Sequence, residues 1–184
     1  MVRIALVAPS CTLKREAAEA VQAIVAQRGD CELLIHPQCF LSDGHFAGSD
    51  QDRLAALREV MGDSSVDAVW FARGGYGSNR IAEAAIADLP DATRGKAYLG
   101  YSDGAFLLAA LHKAGLSVAH GPVAQDVLRE GGAQAIHRAL DWLVRRDKAA
   151  LEPSLSGPAF AFNLTVLSTL LGSSRKSCRI CHSP

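Results

Sequence analysis

Residues 96–111, Lys96-Ala97-Tyr98-Leu99-Gly100-Tyr101-Ser102-Asp103-Gly104-Ala105-Phe106-Leu107-Leu108-Ala109-Ala110-Leu111, decide how this chain is read. The apolar start reads as the end of a buried strand, and the apolar run from Ala105 is long enough to open a helix. Between them lies Gly100-Tyr101-Ser102-Asp103-Gly104, a G-x-S-x-G. In a strand–turn–helix setting that pattern makes a nucleophile elbow, which lifts the serine hydroxyl to the top of the sheet. The flanking glycines let the backbone pack closely. The next N–H, on Asp103, stands at a helix N-terminus, where it can face a developing oxyanion. The same residues also read as an ordinary joint in which Ser102 or Asp103 caps the helix. The pentapeptide alone leaves both readings open.

Working outward, strands and helices alternate. Residues 4–8 form a β-branched and apolar run ended by Pro9-Ser10, a first buried strand. In residues 14–27, Ala17, Ala20, Val21, Ile24 and Val25 trace one face of a helix. Residues 32–35 are a second strand before Pro37, and residues 42–49 a loop. Asp50 or Asp52 caps a helix running through Leu54, Leu57 and Val60. Residues 67–72 are a third strand, followed by the Gly-rich turn Arg73-Gly74-Gly75-Tyr76-Gly77 and a helix over residues 79–89. The fourth strand, residues 97–101, leads into the elbow. Residues 117–120 are a fifth strand ended by Gly121-Pro122, and residues 133–146 a helix with Ile136, Leu140 and Leu143 on one face. The alternation predicts an α/β fold, a mainly parallel sheet with helices on both faces. Ligands bind such sheets beyond the carboxyl ends of the strands, where both Gly-bearing turns fall. From Ala149 the pattern changes. Pro153, Ser154, Ser156, Gly157 and Pro158 read as a linker, and residues 160–172 as an apolar stretch without an obvious partner.

Composition narrows the function. At 184 residues, the chain is sized for one domain. With 49% hydrophobic and 21% charged residues, it can bury a real core. Lysine plus arginine equals aspartate plus glutamate at 19 each, which gives no pull toward nucleic acid or an acidic membrane. No segment approaches a membrane span, and the N-terminal apolar run is too short for a signal peptide. Five irregularly spaced cysteines do not read as a disulfide framework. A reducing, cytoplasmic setting is the expectation.

Several motifs compete for the chemistry. The turn at residues 73–77 can form a nest of backbone N–H groups for an anion. It is neither G-x-G-x-x-G nor a phosphate loop with its Lys-Ser/Thr pair, which argues against dinucleotide binding. Its other use is to donate an N–H to an oxyanion beside Ser102. A serine nucleophile needs a base, and His112, His120, His137 and His182 follow it. His112 lies about 15 Å along the fourth helix at ~1.5 Å per residue and reads as a surface histidine. His137, between Ile136 and Arg138, reads as solvated. His120 ends a strand, on the functional side of the sheet. It reads as a hydrogen-bonded structural residue before Gly-Pro, with a base as the alternative. Asp126 and Glu130 are candidate carboxylates. Cys178-Arg179-Ile180-Cys181-His182 matches C-x-x-C-H, yet haem attachment would require export and zinc would require a second ligand pair. No metal or cofactor is expected.

Together these residues resemble the LD-carboxypeptidase family of serine peptidases, which includes murein tetrapeptide carboxypeptidases and microcin C immunity peptidases. The resemblance rests on Val7-Ala8-Pro9-Ser10, Arg73-Gly74-Gly75-Tyr76-Gly77, Gly100-Tyr101-Ser102-Asp103, His120-Gly121-Pro122, and Asn163-Leu164 through Leu171-Gly172. It implies a flavodoxin-like or class I glutamine-amidotransferase-like N-terminal domain with Ser102 as nucleophile. It also implies an oxyanion hole from the N–H groups of Asp103 and Gly75, with Arg73, Gly74 and Tyr76 as candidate substrate contacts. His120 matches a position that is not the family's base. The implied reaction is hydrolysis of the bond to the terminal D-alanine of a cytoplasmic murein tetrapeptide, and family members are often homodimers.

The chain departs from the family toward its end. The family's catalytic Glu and His lie in a C-terminal domain beyond the Asn-Leu…Leu-Gly stretch. The last twelve residues here carry four Ser, two Arg, one Lys and two Cys with no acid. The expected organisation is a nucleophile domain over residues 1–148, a linker and start of a C-terminal domain over 149–172, and an atypical tail over 173–184. The composition shift suggests an altered reading frame or a chimeric tail. The chain by itself is then expected to lack activity, and the apolar side chains of 160–172 to lack their partner.

Overall fold

The computed structural model describes residues 1–155, 157 and 159–172. Five strands form one all-parallel sheet: β1 (Val2–Val7), β2 (Cys31–Ile35), β3 (Ala68–Phe71), β4 (Ala97–Gly100) and β5 (Ser117–His120). Their order is β2-β1-β3-β4-β5. This is the flavodoxin-like order, in which the chain reverses direction across the sheet between β1 and β3. The predicted α/β class and helix-on-both-faces architecture are what the structure has.

The alternation of side chains along each strand builds two cores. On one face Ile4, Leu6, Trp70 and Leu99 pack with Val21 and Val25 of α1 (Arg15–Ala26) and with Ile136, Leu140 and Leu143 of α5 (Gly132–Arg145). On the other, Ala5, Val7, Val69, Phe71 and Tyr98 meet three helices: α2 (Asp50–Gly62), α3 (Ser78–Ile86) and α4 (Ala105–Lys113). Strands buried on both faces read as continuous apolar runs, which is why periodicity found them.

Two local readings shift. The cap of α2 is Ser49 rather than Asp50 or Asp52. Its hydroxyl accepts the Asp52 N–H at 3.1 Å while the Asp52 carboxylate accepts the Ser49 N–H at 2.9 Å, a capping box. The stretch expected to lack a partner finds one in this chain. Helix α6 (Leu164–Gly172) lays Val166 and Leu170 against Ala105 and Phe106 of α4, with Phe162 alongside. Each fully buried side chain of this size contributes about 1.5–3 kcal/mol, enough to hold a short helix down. Phe160, Leu164 and Leu171 remain exposed. Among the described residues no helix is long and apolar enough to cross a membrane.

Candidate active site

Three neighbouring strands, β1, β3 and β4, deliver three loops to the same end of the sheet: residues 8–13, 73–77 and 100–104. The third is the elbow. Ser102 has φ 59°, a left-handed conformation for a residue with a side chain. That costs on the order of 1–2 kcal/mol, so surrounding contacts must hold it.

The holding contacts begin beneath it. Phe71 of β3 lies so close under Gly100 that a Cβ there would overlap its ring. A Cβ at Gly104 would stand 2.9 Å from the same ring. Both glycines of G-x-S-x-G are therefore required by one phenylalanine. Asp103, buried, supplies the lateral hold. Its Oδ2 accepts the Ser10 hydroxyl at 2.5 Å and the Ser78 N–H at 2.8 Å, while its backbone carbonyl accepts the Ser78 hydroxyl at 2.5 Å. Asp103 thus ties all three loops together. It caps α3, whose own N-cap, Gly77, has no side chain to offer. The reading of Asp103 as a cap of its own helix does not hold, because its carboxylate is committed to a neighbouring helix.

The Gly-rich turn faces Ser102. A Cβ on Gly74 would lie 2.9 Å from Ser102 Cβ and 3.1 Å from its Oγ. Gly75, at φ 121°, adopts a conformation that favours glycine, and Cys11 fills the space a side chain would need. Arg73 Nη1 donates to the Thr12 carbonyl at 3.0 Å, and Tyr76 is 48% exposed beside His45 and Phe46. Among the described residues, no acceptor takes the backbone N–H of Gly75 or of Asp103. Two free N–H groups, one in the turn facing Ser102 and one adjoining it, leave room for an anionic oxygen to be bound there.

Beyond the elbow, β4 and β5 run in register, Gly100 beside His120. The His120 ring meets Tyr101 edge-on at 5.9 Å between centroids. His120 retains exposed surface, and the protein packed around the rest lowers its pKa. The Tyr101 hydroxyl donates to Asp126 at 3.0 Å and accepts from Arg129 at 2.9 Å. Burial, and then the Asp126 charge, raise the Tyr101 pKa and keep it a donor. Tyr101, His120, Pro122, Asp126, Arg129 and the start of α5 line a cavity of about 350 Å³.

Among the described residues, the histidine contacts are made elsewhere than at Ser102, and no histidine hydrogen-bonds its hydroxyl. His112 is exposed on α4 with its ring against Phe160 at 4.9 Å, and His137 is exposed on α5. Asp126 serves Tyr101, Arg129 and the Val123 N–H rather than a histidine, and Glu130 is exposed at the cavity rim. The C-x-x-C-H of residues 178–182 lies outside the described residues. Sequence reasoning missed Ser78 and Arg53. Ser78 carries no signal beyond its place after the Gly-rich turn. Arg53 had one, since it shares the buried face of α2 with Leu57 and Val60.

Fold and loops together define a flavodoxin-like α/β domain carrying a serine elbow at the ends of its central strands. The chain belongs to the LD-carboxypeptidase family: the family's description, LD-carboxypeptidase N-terminal domain, matches residues 4–121. A murein tetrapeptide carboxypeptidase of Pseudomonas aeruginosa is 32% identical over 123 residues, 66% of this chain and 39% of that protein. The muramoyltetrapeptide carboxypeptidase of Oxalobacter formigenes superposes with a TM-score of 0.65 at 24% identity, over 76% of this chain and 47% of that one. The microcin C7 self-immunity protein MccF, in complex with aspartyl sulfamoyl adenosine, gives a TM-score of 0.69 at 19% identity, over 94% and 63%. At these identities the two structures establish the shared fold. The chain spans less than half the length of the Pseudomonas relative.

Proposed function

We propose that this chain is the nucleophile-bearing part of a serine carboxypeptidase that hydrolyses the bond to the terminal D-alanine of murein tetrapeptides. Ser102 attacks the carbonyl carbon and forms an acyl-enzyme as D-alanine leaves; water then releases the shortened peptide. The N–H groups of Asp103 and Gly75 bind the oxyanion of each tetrahedral intermediate. Arg73, Gly74 and Tyr76, on the turn facing Ser102, contact the substrate. The observation that carries the reading is Ser102 at φ 59°, held in that conformation by Asp103 and facing a turn with an uncommitted N–H. The name of the Pseudomonas relative supports the substrate class. Cys11, Cys31 and Cys39, buried and free, are consistent with a cytoplasmic setting.

A serine hydroxyl without a base is a weak nucleophile near neutral pH. The base and its orienting carboxylate come from outside the described residues, and without them the chain releases no measurable D-alanine. To test this, residues 1–172 are joined to the remaining C-terminal portion of the Pseudomonas relative and assayed for D-alanine release from murein tetrapeptide. The joined protein turns over and the 184-residue chain does not. Steady release by the chain alone, lost on Ser102→Ala, would show that the base is already present, and loss on His120→Ala as well would name it.

A further inference from the structure

Arg53 is an arginine in the wrong place for an ordinary helix. It lies on the core face of α2 with 0% exposure, among Ala56, Leu57 and Met61. Burying a guanidinium is costly unless its donors and charge are matched. The match here is specific. Nη1 donates to the Pro9 carbonyl at 2.6 Å and to the Gly77 carbonyl at 2.9 Å. Nη2 donates to the Asp50 carboxylate, and Asp50 is itself held by Arg80 at 2.7 Å. The Phe46 ring lies 4.9 Å from the guanidinium carbon. Nε has no partner among the described residues.

Both carbonyls sit one residue before a group that holds the elbow. Pro9 precedes Ser10, whose hydroxyl holds Asp103, and Gly77 precedes Ser78, whose N–H holds the same carboxylate oxygen. The loop after β1 and the turn after β3 are therefore cross-linked twice at neighbouring residues. Asp103 accepts from one pair of residues, and Arg53 donates to the pair just before it. A Cβ on Gly77 would stand 2.8 Å from Arg53 Nη1, so the turn is moulded onto the guanidinium. The Arg53 pKa is lowered, by burial above all and then by Arg80, against the opposing pull of Asp50 and Asp103.

We propose that Arg53 is a positioning residue that fixes the spacing between the loop after β1 and the Gly-rich turn, and so sets where the Gly75 N–H stands relative to Ser102. The consequence for reactivity rests on the reading of Ser102 and Gly75 given above; the geometric claim does not. Lysine is not a substitute, because one ammonium cannot reproduce the planar fork that spans two carbonyls and a carboxylate.

The test uses the 184-residue chain and its Arg53→Lys and Arg53→Met variants. Lys keeps charge and most of the volume, so a folded variant is available even if Met is too unstable. Three quantities are measured: the urea midpoint, the backbone amide resonances, and the rate at which a serine-reactive fluorophosphonate labels Ser102 at alkaline pH. The resonances of Ser10, Gly75, Gly77, Ser78 and Asp103 move in both variants while those of β2 and β5 stay in place. Labelling slows on the order of 10–100-fold, the penalty for a small misplacement at a reacting centre. A lowered urea midpoint with wild-type resonances at Ser10, Gly77 and Ser78 would make Arg53 a plain structural cation and overturn the proposal. If the parent chain takes no label, as a serine without its base would take none, the resonances alone decide the positioning claim.

Discussion

The ends of β4 and β5 stand side by side, and they could hardly be treated more differently. After Gly100 the chain enters a strained serine conformation gripped from below by Phe71 and from the side by Ser10 and Ser78 through Asp103. At the same register on the neighbouring strand, His120 ends β5 with an exposed edge, a ring contact to Tyr101 and an open cavity beyond it. A serine and a histidine at adjacent strand ends suggest a catalytic pair, but adjacency of strands is not convergence of side chains. The geometry of Ser102 is over-determined, and among the described residues the ring contact of His120 is to Tyr101, not to that serine. In this protein the number of independent restraints on a group says more about its function than its residue type.

The largest expected effect separates the two ends by activity. In the joined protein, Ser102→Ala, if that serine is the nucleophile, lowers kcat on the order of a millionfold, as loss of a triad serine does, with the urea midpoint unchanged. His120→Ala leaves D-alanine release within a few-fold of the parent. Equal loss in both variants would dissolve the contrast.

Next in size are the restraints themselves. Gly100→Ala drives a methyl into the Phe71 ring and destabilises the chain by about 1–3 kcal/mol, read as a drop in urea midpoint. Asp103→Asn keeps the shape but removes the charge that accepts from Ser10 and Ser78, a loss of about 1.5–3 kcal/mol for hydrogen bonds to a charged group. Wild-type stability in Asp103→Asn would mean that the hold on the elbow lies elsewhere.

The smallest effect is a pH dependence at His120. Its folded pKa lies below the ordinary 6.5 because neighbouring protein strips water from the ring. As pH falls the unfolded chain takes up the proton first. The neutral ring therefore favours the fold above about 6.5, and that contribution disappears as pH drops through the lower folded value. In His120→Gln the slope of stability against pH should flatten just below 6.5 and nowhere else, as followed by urea unfolding at stepped pH. An unchanged slope would show the ring is as solvated when folded as when unfolded.

Much of the fold was legible because burial writes itself into periodicity. All five strands and the apolar faces of α1 and α5 fall where the pattern puts them, since each element packs one face, or both, against a single sheet. The elbow was legible because the Phe71 ring leaves room only for glycine on either side of the serine, which writes G-x-S-x-G into the sequence. Arg53 was legible only in part: its spacing from Leu57 and Val60 puts it on the buried face of α2, but nothing in the sequence names the two carbonyls it meets there. Ser78 was not legible, because its importance comes from a carboxylate 25 residues away. The seating of Val166 and Leu170 on Phe106 was missed for the opposite reason. Apolar periodicity shows that a face will be covered without saying by what, and α4 kept a second apolar face that the run of residues 105–111 disguised.

The central claim is that Ser102 is the nucleophile, and labelling tests it most directly. The joined protein is treated with a serine-reactive fluorophosphonate, sampled over time for D-alanine release, then digested and sequenced by mass spectrometry. The predicted result is one modified residue, Ser102, with labelling and loss of activity advancing together. Activity that persists after Ser102 is fully labelled, or is lost while the label sits on another residue, would contradict it.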